Sequence, residues 1–247
     1  AIGIEFTLQA PAPDRILVMS ASALPMGSAM GKFRFDPATE LKPVIKVAEQ
    51  DVALVARQGL PVASVAELVR YQEAGHKPSC GAGFGQMFVV CLQLREYAKG
   101  HLTPVPYSGM AKLANDVAGD RLDLAVVPTQ NAAPHIASGR MRALAVSGTG
   151  PTPSSMFDNL PRIDALWPDI DVKLYMAVHA PAGASDAAVA RWNADINTVL
   201  QMEEARRSLA AAEMTPVGGP PEVLRQTFQR DLARFHRLLP LIEAASK

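Results

Sequence analysis

Short blocks of consecutive apolar residues alternate along the chain with stretches in which apolar positions recur every three or four residues. That is the pattern of buried strands followed by amphipathic helices. Residues 16–20, 52–56, 77–81, 103–106, 122–127, 143–147 and 174–180 read as strands. Pro104 and Pro106 put the fourth of these at a sheet edge, because proline cannot donate to a central ladder. Ser64 and Glu67 form a capping box that opens a helix with Val65, Leu68 and Val69 inward. Further helices are predicted over 85–98, from a cap at Ser108 to a C′ glycine at Gly119, over 131–138 ahead of Gly139, and from Ser185 onward. In the helix after Ser185, Val189, Trp192, Ile196 and Val199 share one face. Pro220 and Pro221 open the last helix, with a stripe of Leu224, Phe228, Leu232 and Phe235. Residues 148–168 are proline-rich and read as loop.

Strand–helix alternation predicts an α/β chain with mainly parallel sheets flanked by helices. With 247 residues the chain has room for two lobes. Residues 1–50 with 176–247 are assigned to the first, and residues 51–175 to the second. Hydrophobic residues at 49% and charged residues at 19% supply a core and exclude a disordered chain. Lys+Arg and Asp+Glu both number 24, so no global field attracts nucleic acid, and an anion site has to be built locally. No apolar run approaches the ~20 residues of a membrane span, and no signal peptide is visible. Cys80 and Cys91 read as two small buried hydrophobes, the first at a strand end and the second two turns into the next helix, a spacing expected to exceed disulfide reach. No metal-ligand spacing occurs among the cysteines and five histidines, and no cofactor is expected.

Four loops that follow strands carry the candidate chemistry. Gly81-Ala82-Gly83-Phe84-Gly85-Gln86 joins a strand to a helix. Glycines there admit close backbone approach, and a helix N-terminus offers free N–H groups to a carboxylate or phosphate. A tight turn with no ligand uses the same residues. The spacing is not that of a dinucleotide loop, and the Gly-Lys-Ser/Thr of a P-loop is absent. Ser20, Ala21 and Ser22 follow the first strand and either donate to an anion or cap the next helix. Tyr107 ends the fourth strand as a hydroxyl donor or as a half-buried core tyrosine. Thr129 and Asn131 follow the fifth, facing a cleft or forming a cap. In an open α/β sheet such loops gather on one edge. No nucleophile, base and orienting group can be assigned together, so the pattern points to binding and away from catalysis. An enzyme using an anionic cofactor at the glycine loop is the competing reading.

Several ordered segments carry a family resemblance. They are Pro104-Val105-Pro106-Tyr107-Ser108-Gly109, Leu122-Asp123-Leu124, the run from Pro134-His135-Ile136 through Gly139-Arg140-Met141-Arg142-Ala143-Leu144-Ala145-Val146, and Ala180-Pro181-Ala182-Gly183. Pro13-Asp14, Phe35-Asp36-Pro37, Ser64-Val65-Ala66-Glu67-Leu68 and Thr215-Pro216-Val217-Gly218 add to them. Together the chain resembles the Bug-type receptors of the tripartite tricarboxylate transporter family over essentially its whole length. The resemblance implies a two-lobed type II periplasmic-binding-protein fold that holds a small carboxylate ligand and delivers it to membrane permease subunits. A sensor or a degenerate interaction protein would share the fold. Carried over by position, the ligand-binding residues are Ser20, Ala21, Ser22, Gly83, Phe84, Gly85, Gln86, Tyr107, Thr129 and Asn131. The chain departs from the family pattern at Gln86 and Val89, where Ser and His are usual, and at Val127, where an acid is usual. It also starts after the family's usual first βαβ unit, which leaves an apolar edge expected on the first lobe's sheet.

Overall fold

A computed structural model describes residues 2–83, 85–148, 150 and 152–245. In chain order its elements begin with α1 (Ile2–Leu8), β1 (Val18–Ala21), α2 (Ala23–Ala29), α3 (Pro37–Glu40), β2 (Leu41–Gln50) and β3 (Val52–Arg57). There follow α4 (Val65–Glu73), β4 (Ser79–Gly83), α5 (Gln86–Tyr97), β5 (Thr103–Tyr107), α6 (Met110–Ala118), β6 (Leu124–Pro128), α7 (Thr129–Ala137) and β7 (Met141–Val146). The chain continues through α8 (Ile163–Leu166), β8 (Leu174–Pro181), α9 (Asp186–Gln201), α10 (Glu203–Ala211), β9 (Met214–Pro216) and α11 (Pro221–Ala244). Two compact units result: Ala1–Glu49 with Leu174–Pro240, and Gln50–Lys173 with Leu241–Lys247.

The first unit carries a four-stranded sheet in the order β1-β8-β2-β9. Val44, Ile45, Val178, Ala180 and Val189 form its core on one side, and Ile4, Leu24, Phe35, Leu41 and Phe228 form a second cluster. β1 is one of the two edge strands, pairs antiparallel with β8, and leaves Met19 exposed, as Ile2 and Phe6 of α1 are. β2, the longest strand, is missing from the sequence reading. Lys42, Pro43, Lys46 and Glu49 interrupt its apolar pattern, yet Lys46 is buried, with its ammonium on the Glu49 carboxylate and over the Tyr175 ring. A buried lysine is tolerated only when so paired.

The second unit carries a five-stranded sheet in the order β5-β4-β6-β3-β7. The α/β class is as expected, but the sheets are mixed where the alternation predicted mainly parallel ones. β4 runs parallel to β5 and β6, whereas β3 runs antiparallel to both β6 and β7. Parallel neighbours need a crossover connection. α5 supplies one between β4 and β5, but β3 opens this unit with no helix of the unit before it, so nothing forces it parallel. β5 lies at the edge, where its prolines belong. β6 is buried throughout, and β3 except at Arg57, which explains their continuous apolar sequences. Ala53, Val55, Leu113, Val117, Leu122, Ala125 and Phe157 belong to the core over one face.

Two cap assignments shift. Ser64 caps α4 through its side chain as read, and Ser185 caps α9. The N-cap of α6 is Gly109, with no side-chain cap from Ser108. The left-handed residue after α6 is Asp120 at φ 58°, since Gly119 stays at φ −104°.

Candidate functional site

Within the second unit, the carboxyl ends of β4, β5 and β6 lie side by side. Gly83 pairs with Tyr107, and Ala82 pairs with both Pro106 and Val126. The loops leaving these three strands therefore share one edge of the sheet. That edge carries Gly83, Gly85, Gln86, Tyr107, Thr129 and Asn131, and Phe84 lies outside the described residues.

The three glycines are there for three different reasons. A Cβ on Gly81 would lie 2.4 Å from both Leu113 Cδ1 and Leu122 Cδ2, so this glycine makes room for the core. A Cβ on Gly83 would lie 2.1 Å from Met110 Cε, so the Met110 side chain covers that position. Gly85 is the N-cap of α5, at φ 98° and ψ −148°, a conformation reserved for glycine. Gly81 and Gly83 thus give way to side chains of the protein itself, and Gly85 alone of the three needs the backbone freedom of glycine. The helix it starts has 12 residues and no acidic side chain in its first turn, so the positive end of the dipole is unopposed.

The side chains are less free than the sequence implied. Gln86 is buried, and its Nε2 donates to the Lys173 carbonyl at 3.2 Å. It anchors the segment leaving the unit. The Tyr107 hydroxyl donates to Asp116 Oδ2 at 2.9 Å, and Arg121 donates to Asp116 Oδ1 at 3.2 Å. Burial, then the neighbouring carboxylate, raises the tyrosine's pKa, while the hydrogen bond from Tyr107 leads in lowering that of Asp116. With its proton held by Asp116, Tyr107 presents mainly its ring. Tyr107→Phe should therefore cost about 1 kcal/mol of stability in urea unfolding. A loss of less than about 0.3 kcal/mol would mean that the hydroxyl gains nothing from Asp116.

Thr129 is the exception. It is only 1% exposed, its N–H donates to the Asp51 carbonyl at 3.1 Å, and its Oγ1 is buried with no hydrogen-bond partner. Asn131 sits half-buried in the same helix, α7. Beside them is a residue the sequence reading overlooked. Asp51 is buried at the start of β3 and accepts a hydrogen bond from the Ser147 hydroxyl at 3.2 Å. The same hydroxyl accepts from the Val52 N–H at 2.9 Å. Gly148, at φ 82°, leaves the space that a Cβ would take from Asp51 Oδ1. The available signal was an acid directly ahead of the apolar run Val52–Ala56.

In the first unit, Ser20 Oγ and His179 Nδ1 share a hydrogen bond of 3.1 Å. Burial lowers the pKa of His179 to about 4, so its imidazole is neutral at pH 7. That value is far below the near-neutral pKa that suits a general base. Ser22 is buried, its N–H donates to the Tyr175 carbonyl at 3.0 Å, and its side chain does not cap α2. Ala21 is exposed at the end of β1. Among the described residues no group of three or more His, Cys, Asp or Glu is placed to hold a metal ion.

The sequence profile of the family described as "Tripartite tricarboxylate transporter family receptor" matches residues 3–244. The chain is 25% identical to Protein BugT of Bordetella pertussis over 243 residues, 95% of this chain and 73% of that protein. It superposes on R. palustris Rpa4515 with adipate at a TM-score of 0.79 and 23% identity, covering 97% of this chain and 82% of the other. MatC from Rhodopseudomonas palustris with bound malate superposes at a TM-score of 0.77 and 22% identity, covering 96% and 83%.

Proposed function

Because this chain belongs to the tripartite tricarboxylate transporter family of receptors, we propose that the strand-end loops of its second unit capture the carboxylate of a small mono- or dicarboxylic acid. In this reading the protein works in the periplasm and hands its ligand to membrane permease subunits. No described helix is long and apolar enough to cross a membrane itself. Adipate and malate, held by two proteins of the same fold, define the ligand class to try first.

The observation that carries the reading is that the α5 N-terminus at Gly85 and the buried, unpartnered Thr129 hydroxyl follow the carboxyl ends of two neighbouring parallel strands, β4 and β6. The first-turn amides of a helix lack intrahelical acceptors and sit at the positive end of its dipole. A hydroxyl kept from water without a partner costs roughly 1–3 kcal/mol. A ligand oxygen relieves that cost. The glycine loop supplies N–H donors for the anion, and Thr129 supplies one further donor from the neighbouring strand end. Neither group moves a proton, so the chemistry is binding.

Thr129→Val keeps the shape and removes the hydroxyl. Isothermal titration with malate and adipate should show about a tenfold loss of affinity for whichever of them binds. The ligand-free variant should unfold at the same or a higher urea concentration than the parent, because an unsatisfied buried hydroxyl has gone. Unchanged affinity would remove Thr129 from the site. Affinity in the parent should also fall as the pH drops through the ligand's own carboxyl pKa, about 4, since the helix end favours the anion.

A further inference from the structure

The Sγ atoms of Cys80 and Cys91 are 2.7 Å apart, and both residues are fully buried. Nonbonded heavy atoms at optimal separation sit at about 3.5–4.0 Å, whereas a covalent S–S bond is about 2.05 Å. The two thiols are therefore inside ordinary contact distance. They are also held there by regular backbone on both sides. Cys80 is in β4, paired with Pro104 of β5 and Leu124 of β6, and Cys91 is in the second turn of α5. The sequence reading, which placed this pair beyond disulfide reach, is corrected by this packing: α5 folds back over β4 and brings its second turn onto the strand.

We infer that Cys80 and Cys91 are a covalent modification site, joined as a disulfide that closes the glycine loop between β4 and α5. The loop from Gly81 to Gln86 lies entirely within the ring that this bond would form. A short closed ring removes conformational freedom from the unfolded chain and ties the strand end to the helix start. Among the described residues the loop has no other covalent tie, and both cysteines are free thiols in this structure.

The bond forms by thiol–disulfide exchange with an external disulfide, either a protein dithiol oxidant or an oxidised low-molecular-weight thiol. The thiolate of one cysteine attacks a sulfur of the oxidant and expels one thiolate, leaving a mixed disulfide. The second cysteine's thiolate attacks the protein sulfur of that mixed disulfide and expels the other thiolate. Two protein S–H bonds are lost and one S–S bond is made. The two protons end on the two released thiols, and the oxidant disulfide is reduced by two electrons. Exchange has to precede final packing, because neither sulfur is accessible afterwards. In the folded dithiol form Cys91 donates to the Gly81 carbonyl at 3.7 Å, and burial, then its neighbour Cys80, pushes its thiol pKa well up, which keeps it unreactive.

The test uses the whole chain exported to an oxidising compartment. The protein is unfolded in guanidinium with N-ethylmaleimide and no reductant, and its intact mass is measured. The expected result is no adduct without reductant and two adducts after prior reduction. Two adducts without reductant would overturn the inference. A second arm refolds the reduced chain in a glutathione redox buffer. The expected product is about 2 Da lighter than the dithiol and free of glutathione. It should melt on the order of 5–10 °C above the reduced protein. Its amides over 81–86 should exchange hydrogen more slowly. A glutathione adduct on each cysteine, or an oxidised form that melts no higher, refutes the ring. The Cys80→Ala/Cys91→Ala double variant should show no redox dependence of its melting temperature. These readouts need no ligand, so they stand or fall apart from the carboxylate proposal.

Discussion

Gly85→Asp should lower affinity for malate or adipate by at least about 100-fold, a loss of about 2.7 kcal/mol. Two effects act in the same direction. Gly85 sits at φ 98° and ψ −148°, so any side chain strains the backbone that aims the α5 amides. The new carboxylate also lies at the helix N-terminus, where it competes for the same amides and repels the ligand. Two unit charges about 4 Å apart at an effective dielectric of about 20 repel by about 4 kcal/mol. Gly85→Ala separates the effects, because it keeps the strain and omits the charge. It should cost about 1–3 kcal/mol of stability and retain binding that the Asp variant has lost. Titration calorimetry on both folded variants decides the matter. An Asp variant that binds as tightly as the Ala variant would remove the anion from this helix end.

The largest stability effect outside the hydrophobic core is expected at Asp123. Its Oδ2 accepts from the Ser79 N–H and the Ser79 hydroxyl at 2.9 Å each, and its Oδ1 accepts from Arg57 Nε at 2.9 Å. Its own N–H donates to Ser79 Oγ at 3.0 Å. One side chain thus ties the end of β3 to the starts of β4 and β6. Asp123→Ala leaves three donors without their acceptor and should cost about 2–3 kcal/mol in urea unfolding at pH 7. Desolvation raises the Asp123 pKa, but the hydrogen bonds from Ser79 and Arg57 outweigh it and the net shift is downward. A depressed folded pKa means the contribution is fully present above the ordinary value of 3.8 and is lost as pH falls below it through the folded value. The gap between parent and variant should therefore be constant from pH 7 to pH 5 and shrink in more acidic solution. A gap that grows on acidification would contradict the sign of the shift.

The elements that were readable in advance share a property. β3, β6 and β7 are nearly continuous apolar runs, and burial on both faces demands just that composition. The caps at Ser64 and Ser185 were readable because capping is a contact between residues three positions apart. β2 was not readable, since Lys46 and Pro43 break its pattern and only the partners Glu49, Thr227 and Tyr175 make that lysine tolerable. Two of those partners, Thr227 and Tyr175, come from distant parts of the chain. β9 and α10 escaped for a related reason: the strand is three residues long, and the helix has no buried residue to reveal a face.

The candidate site divides along the same line. Local sequence by itself determined where loops follow strands, where glycines cluster at a helix start, and which ordered motifs the chain shares with a receptor family. Those are consequences of backbone geometry over a few neighbouring residues. Only the tertiary structure decided what each side chain can do there. It turned the Tyr107 hydroxyl onto Asp116, bound Gln86 to the Lys173 carbonyl, packed Gly81 and Gly83 under side chains, and left Thr129 Oγ1 buried without a partner. It also set the sulfur of Cys80 against that of Cys91. A hydrogen bond or a sulfur contact depends on distances of a few tenths of an ångström between groups on different elements, and no residue spacing along the chain encodes that distance.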